Sequence, residues 1–414
     1  GGATALYNKK LLNTNLRWEQ SQTFEVGLDI GFLQNRLSFI LDFYSRRTKD
    51  LLTKQALPGY TGFSDIVTNM GTLRNSGFEA EVKANIINKG GFTWDMTANI
   101  TSVANKIISL PYNNVENNRV GGYEVAAGKV DADGKFPTKW IAGRQEGGKL
   151  GELVGYRQQH VFKDWDDVKQ HANLRVDEVA NLYGPGLADQ INPATGKTYK
   201  ESSGWQPIEP GDACWEDING DNIINGYDRS VMGNIFPNVT GGFSTTFGYK
   251  GLSLYARFDY ALGHTLYNDL KARSLGQYQG QFNIITDVKD MWSEANPNSD
   301  LTKFYYADQL AKKNITRSNN ASTAADNNSS RYYEKGDYLA LREITLSYQL
   351  PKSLISKAHL TEASVYVTGQ NLFYITGYDG VSPEPAVSTT YGRGIDNGRY
   401  PTPRTFLFGL SLTF

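Results

Sequence analysis

The sequence predicts an all-β fold: a transmembrane antiparallel β-barrel with long loops on one rim. Three observations predict it. Apolar and polar side chains alternate over unusually long stretches. The connections between those stretches alternate between short and long. No uninterrupted apolar run approaches the ~18 residues that a membrane helix needs. The composition agrees, since 12% of the 414 residues are aromatic, with 25 Tyr, and 42 are Gly. Mean hydropathy is only −0.47, as expected of strands that face lipid on one side and water on the other.

The first strand starts near Thr23, where Phe24, Val26, Leu28, Ile30 and Phe32 fall on one face and Glu25, Gly27 and Asp29 on the other. Successive Cβ atoms of a strand point to opposite sides, so a period of two defines it. After a short link at 33–36, Leu37, Phe39, Leu41 and Phe43 continue the apolar face. Phe78, Ala80, Val82, Ala84 and Ile86 oppose Glu79, Glu81, Lys83 and Asn85. Beyond residues 88–91, Phe92, Trp94, Met96, Ala98 and Ile100 oppose Thr93, Asp95, Thr97 and Asn99. Val239–Tyr249 and Leu252–Tyr260 repeat the pattern around Lys250-Gly251, as do Ile344–Leu350, Ala363–Gly369 and the terminal Phe406–Phe414. On this reading Phe247, Leu254, Phe258, Val365, Phe406 and Leu410 face lipid. Thr246, Arg257, Asp259, Thr368 and Gln370 face the lumen.

The links at 33–36, 88–91, 250–251 and 351–361 are short, whereas those at about 52–75, 105–238, 264–330 and 375–401 are long and rich in Asn, Gly, Asp and Tyr. Outer-membrane barrels sort their connections in this way, with short periplasmic turns and long extracellular loops. The first and last strands then both run downward, which requires an odd count, and about nine spanning strands are found. The strand-like segment at 150–162 would break that parity and is assigned to the extracellular loop. Single-chain bacterial barrels have even strand numbers. The expectation is therefore a C-terminal portion of a barrel, its remaining strands encoded upstream.

Charge and motifs narrow the function. Lys+Arg at 42 against Asp+Glu at 43 leave no basic field for nucleic acid. Residues 1–4 do not read as a signal peptide. The single cysteine, Cys214, excludes a disulfide framework and any Cys-based zinc site; four histidines (His160, His171, His264, His359) in unrelated contexts argue against a His-rich centre. No Gly-x-Ser-x-Gly elbow or HExxH motif occurs, so the reading is not an enzyme. Strand carboxylates such as Glu25, Asp29, Glu79, Glu81, Asp95 and Asp259 read as solvated lumen charges rather than a glycosidase pair.

The sharpest motif is DINGDNIINGYD, which has EF-hand spacing. Asp217, Asn219, Asp221, the Ile223 carbonyl, Asn225 and Asp228 occupy positions one, three, five, seven, nine and twelve, where oxygens surround Ca²⁺, with Mg²⁺ as the alternative. Asn222 replaces the usual glycine but tolerates a left-handed backbone, and Asp228 replaces the bidentate Glu. The same loop without metal reads as a knot of Asx turns. Loop aromatics are candidate contacts for substrate or a lid: Tyr112, Tyr123, Trp140, Trp165, Trp215, Tyr278, Tyr305 and Tyr306. Residues 392–394 and 396–398 read as flexible mouth elements.

Several segments are similar to the C-terminal barrel of the SusC/RagA family of TonB-dependent outer-membrane transporters of Bacteroidetes. They are NLRWEQSQTFEVGLDIGFLQNRLSFILDFYSRRTKDLL, NMGTLRNSGFEAEV, LGELVGYRQQHVF, PGDACWEDINGDNIINGYDRSVMGN, YLALREITLSYQLP, VYVTGQNLFYITGYDGVSPE and RTFLFGLSLTF, in the family's order. The resemblance implies a 22-stranded plugged barrel whose plug and TonB box lie upstream. It also implies a SusD-like surface lipoprotein as lid, coupling to the TonB complex, and import of an oligosaccharide or peptide. The terminal Phe414 resembles the assembly signal of outer-membrane barrels. The alternative reading is a surface-binding or protein-secretion scaffold without TonB-driven import.

Overall fold

Among the described residues, nine strands form one continuous antiparallel sheet in strict sequence order. They are β1 (Gln20–Phe32), β2 (Leu37–Ala56), β3 (Asp65–Lys89), β4 (Phe92–Ser109), β5 (Val239–Tyr249), β6 (Leu252–Leu262), β7 (Tyr338–Gln349), β8 (Glu362–Thr376) and β9 (Thr405–Thr413). The structure is a computed structural model. It describes residues 11–57, 59–176, 179–180, 191, 196–198, 208–277, 285–304, 329–384, 387–388, 392–398 and 400–414. Among these residues β1 and β9 are the sheet's two edges.

The register keeps the two faces chemically separate. Trp94, Phe247, Leu254, Leu346, Val367 and Phe408 follow one another directly across six strands. The neighbouring row on the opposite face reads Asp95, Thr246, Tyr255, Thr345 and Thr368 before it ends at Leu407. Asn85 extends this polar row by donating to Asp95 at 2.8 Å, and the Thr345 and Thr368 hydroxyls bond at 2.7 Å. The apolar face is uncovered: Phe24 is 72% exposed and Phe408 81%. A row of bare aromatics this long is expected in lipid, which solvates it, and not in water. No helix among the described residues is long and apolar enough to cross a membrane, and the strands provide the crossing.

The tight turns lie on one rim. Gly90 and Gly91 form the whole β3–β4 connection, and Lys250 and Gly251 the β5–β6 connection, all four with positive φ. Two-residue hairpins need that left-handed backbone to match the strand twist. The loops on the other rim differ from expectation at their bases. The predicted loop at 52–75 shrinks to residues 57–64, because β2 and β3 continue pairing as far as Ala56 and Asp65. At roughly 3.3 Å per residue these strands run about 65 and 80 Å, well past a bilayer core. The other long links span 110–238, 263–337 and 377–404 between strand ends. The segment Glu152–Tyr156 pairs with Arg229–Asn234 outside the large sheet, as the parity argument required.

The deepest burial lies in these loops. Tyr156, Phe162, Val168, Ile208, Cys214, Trp215 and Ile224 form one cluster, and Tyr267, Ala272, Leu275 and Tyr332 another. The wall therefore carries a folded cap on its extracellular rim, with a dry interior of its own.

Candidate functional site at the barrel mouth

A β-bulge fixes the junction between wall and cap. The register slips between Arg257 and Phe258 on β6 and between Leu341 and Glu343 on β7, so Arg342 has no ladder partner on β6 or β8. Bulges re-aim side chains in this way. Arg342 Nε donates to Asp259 Oδ2 at 2.9 Å, Nη1 to the Tyr374 hydroxyl at 3.2 Å, and Nη2 to Glu384. The Tyr374 hydroxyl donates to Glu384 Oε1 at 2.7 Å. Asp259 lies on the predicted lumen face, 42% exposed, and is paired there with an arginine.

The 377–404 loop is anchored similarly. Asp396 Oδ2 accepts from the Tyr378 hydroxyl at 2.8 Å and from Val381 N at 3.2 Å, and Oδ1 accepts from Gly398 N at 3.1 Å. Ile395 and Asp396 pair in parallel with Tyr267 and Asn268. The expectation of a flexible element at 396–398 is thereby corrected. Burial and the Asp396 carboxylate push the Tyr378 hydroxyl far above its usual range, so it stays a proton donor. His264 is buried, with Nε2 2.9 Å from the Pro383 carbonyl oxygen.

The 217–228 loop is a dense turn. Asp217 Oδ1 accepts from Gly220 N at 2.7 Å and Oδ2 from Asn222 N at 2.8 Å. Asp221 Oδ1 accepts from Ile223 N at 2.7 Å, and Asn219 Nδ2 donates to Asp221 Oδ2 at 3.0 Å. Asp228 accepts from Ile218 N and Asn225 N, at 2.9 and 2.8 Å. Asn225 Oδ1 caps Tyr227 N at 2.8 Å. Asn222 has φ 63°, the left-handed backbone expected of it. Asp228 is 0% exposed, and burial, with smaller contributions from Asp217 and Asp221, pushes its carboxyl up to about 6. Lys129 Nζ reaches only the Asp217 carbonyl, at 3.2 Å. Each carboxylate oxygen that accepts one N–H keeps a second lone pair, so this oxygen-only donor set suits a hard cation such as Ca²⁺.

The predicted aromatic contacts disperse. Trp215 is 1% exposed inside the loop core, so its proposed contact with substrate or lid is corrected to a packing role. Tyr123 packs against the Val125–Ile141 cluster, with Arg229 over its ring at 4.7 Å. Trp140 is covered by Arg119 at 3.7 Å. Tyr112 is exposed and donates to Asn114 Oδ1 at 2.8 Å. Tyr278, Tyr305 and Tyr306 lie outside the described residues. Trp165 lines a cleft of about 510 Å³ together with Trp292, Lys163, Pro210, Pro297 and Lys303. Trp292 was not singled out from the sequence; its Nε1 donates to the Lys163 carbonyl at 3.1 Å.

Comparison with known proteins matches these features. Residues 1–177 match the family model for the TonB dependent receptor-like β-barrel. TonB-dependent receptor P3 of Formosa agariphila is 28% identical over 408 residues, covering 97% of this chain and 35% of that protein. TonB-dependent receptor SusC of Bacteroides thetaiotaomicron is 28% identical over 411 residues, covering 98% of this chain and 33% of that protein. The chain thus spans about a third of the length of these relatives. A chain of the RagAB peptide transporter superposes with a TM-score of 0.64 at 22% identity, covering 97% of this chain and 36% of that one, which is a likeness of fold.

The sheet and its bare outer face are those of an outer-membrane β-barrel, and the chain is similar to TonB-dependent receptors. Among the TonB-dependent receptors it is similar to is SusC, and its fold is like that of the RagAB chain.

Proposed function

We propose that this chain is the C-terminal part of the barrel of a nutrient importer, with plug and TonB box encoded upstream. In this reading a SusD-like lipoprotein closes the mouth and the TonB complex drives uptake of an oligosaccharide or peptide. The observation that carries it is the polar inner row running from Asn85 to Thr368 beneath a folded cap. A water-lined wall with a shaped entrance suits passage of a polar solute. The RagAB chain, similar in fold, belongs to a peptide importer, and both substrate classes stay in the proposal.

The 217–228 loop is assigned a structural role, holding a calcium ion that rigidifies the cap. No residue is assigned a catalytic role.

The test uses the full-length gene. Its deletion should abolish growth on one oligosaccharide or peptide source, restored by the wild-type gene but not by one lacking the TonB box. Affinity purification should bring down a surface lipoprotein. Full rescue without the TonB box would favour a surface-binding or secretion scaffold instead.

A further inference from the structure

His160, His171 and Cys214 are far apart in the sequence, yet each offers a ligand atom within 4.8 Å of the others. This brings His160 and His171 into one context, against the expectation for those two histidines, and gives Cys214 two nitrogen ligands beside it, against the expectation that a single cysteine excludes a Cys-based zinc site. The backbone sets the arrangement. His160 lies on the strand Gln158–Val161 and Cys214 directly opposite on Ala213–Trp215, so the two side chains leave the same face. The helix Trp165–Gln170 follows, its N-terminus capped by Asp164. It delivers Asp167 and His171 four residues apart, on one side.

Asp167 reaches both imidazoles. Its Oδ2 is 3.1 Å from His160 Nε2 and its Oδ1 is 3.5 Å from His171 Nδ1. His171 Nδ1 also lies 2.9 Å from the Asp167 carbonyl oxygen. A proton donated there leaves Nε2 as the ring's lone-pair atom. Phe162 packs against both rings, with centroids 5.5 and 5.4 Å away, and forms a dry floor.

We propose that His160, His171 and Cys214 bind a zinc-class divalent cation, with Asp167 orienting the imidazoles. Two imidazoles and a thiolate suit a borderline-soft ion, whereas Ca²⁺ and Mg²⁺ take oxygen ligands. Little rearrangement is required. Bond lengths of ~2.0–2.1 Å to nitrogen and ~2.3 Å to sulfur place the donors of a tetrahedral site roughly 3.3–3.6 Å apart, so pairs now within 4.8 Å close by up to ~1.2–1.5 Å. A carboxylate held against metal-binding imidazoles is the usual outer partner of such ligands. The cation ties the helix to the strand pair above the largest buried cluster of the cap. Three protein ligands leave one coordination position for water or for a donor on a docked molecule.

The experiment uses the full-length protein in detergent, stripped with a chelator, supplied with Ca²⁺ to fill oxygen-only sites, and titrated with Co²⁺. The expected result is a near-ultraviolet thiolate-to-cobalt charge-transfer band that saturates at one ion per chain and is displaced by Zn²⁺. Cys214→Ser should remove the band. Asp167→Asn should keep it but weaken Zn²⁺ binding by ~10–100-fold. Wild-type protein that takes up no cobalt, or takes it up without a thiolate band, overturns the proposal whether or not any variant folds. Unchanged Zn²⁺ affinity in His171→Gln would equally remove His171 from the site.

Discussion

Arg342 donates to Asp259 across the β6–β7 bulge at 2.9 Å and, with a different nitrogen, to Glu384 of the 377–404 loop. One guanidinium therefore joins the barrel wall to the cap. The bulge makes this possible, because a ladder-paired residue at 342 would follow the alternation of its neighbours. Arg342→Met should leave two carboxylates without their shared donor and loosen the loop. Both carboxylates are more than a third exposed, so the expected loss is only ~1–2 kcal/mol. The folded band on an unheated gel should melt at lower temperature. Arg342→Lys should recover only part of the difference, since an ammonium cannot reproduce the guanidinium fork.

The two faces of β7 predict opposite tolerance. Leu346 lies in the apolar outer row and Thr345 in the polar inner row, one residue apart. Leu346→Arg places a charge in lipid at a cost of up to ~2–4 kcal/mol, depending on depth. Thr345→Arg projects the same charge into the lumen. Assembled protein in outer-membrane fractions should fall for the first and stay near wild type for the second. Equal yields would contradict the assignment of faces.

A close approach fixes strand geometry at Gly241. The Tyr260 hydroxyl crosses this residue to donate to the Asn99 carbonyl at 2.9 Å. A Cβ at Gly241 would collide with the Asn99 carbonyl oxygen, which is backbone and cannot step aside. Gly241→Ala should therefore cost ~1–3 kcal/mol, as overpacking does. Tyr260→Phe should cost only ~0.5–1.5 kcal/mol, the value of one hydrogen bond. Thermal melting of the two variants side by side checks the order.

The strands were legible because Phe24 through Phe32 and Phe406 through Phe414 meet lipid on one side and water on the other, which imposes a period of two. The outer halves of β2 and β3 were not, because beyond the bilayer no lipid face imposes a period of two. Trp215 and Trp165 looked alike in the sequence, since a loop aromatic carries no periodic signal of burial. The His160–His171–Cys214 group was hidden for a related reason: pairing of residues 158–161 with 213–215 creates it. The one local cue was the four-residue spacing of Asp167 and His171, which a helix turns into a shared face.

Phe414 follows β9 on the outer face and is exposed. Among the described residues β9 pairs with β8 along one side only. Such an edge needs a partner before it is safe from unwanted pairing. If the terminal aromatic is read during insertion, deleting Phe414 should lower assembled full-length protein while leaving total synthesis unchanged. Wild-type assembly of the truncated protein would reduce Phe414 to an ordinary interfacial aromatic.

The 217–228 loop allows calcium binding and hydrogen bonding to be separated. Asp217 and Asp228 each accept two backbone N–H bonds, so removing either side chain orphans donors at a cost of ~1–3 kcal/mol with or without metal. A bound cation adds a second effect, because a ligand at 100 times its dissociation constant stabilises the folded loop by ~2.7 kcal/mol. Wild-type protein should therefore resist limited proteolysis in the cap better in Ca²⁺ than in chelator. Asp217→Ala and Asp228→Asn should be cut faster in both, and calcium should no longer protect them. Asp221→Asn keeps the acceptor for Ile223 N but removes one negative charge and the acceptor of Asn219 Nδ2, so it should be cut somewhat faster in chelator and be protected less by calcium. If wild-type protein is cut equally fast with and without calcium, the turn is held by its hydrogen bonds alone. If calcium protects Asp217→Ala as well as wild type, the ion sits elsewhere.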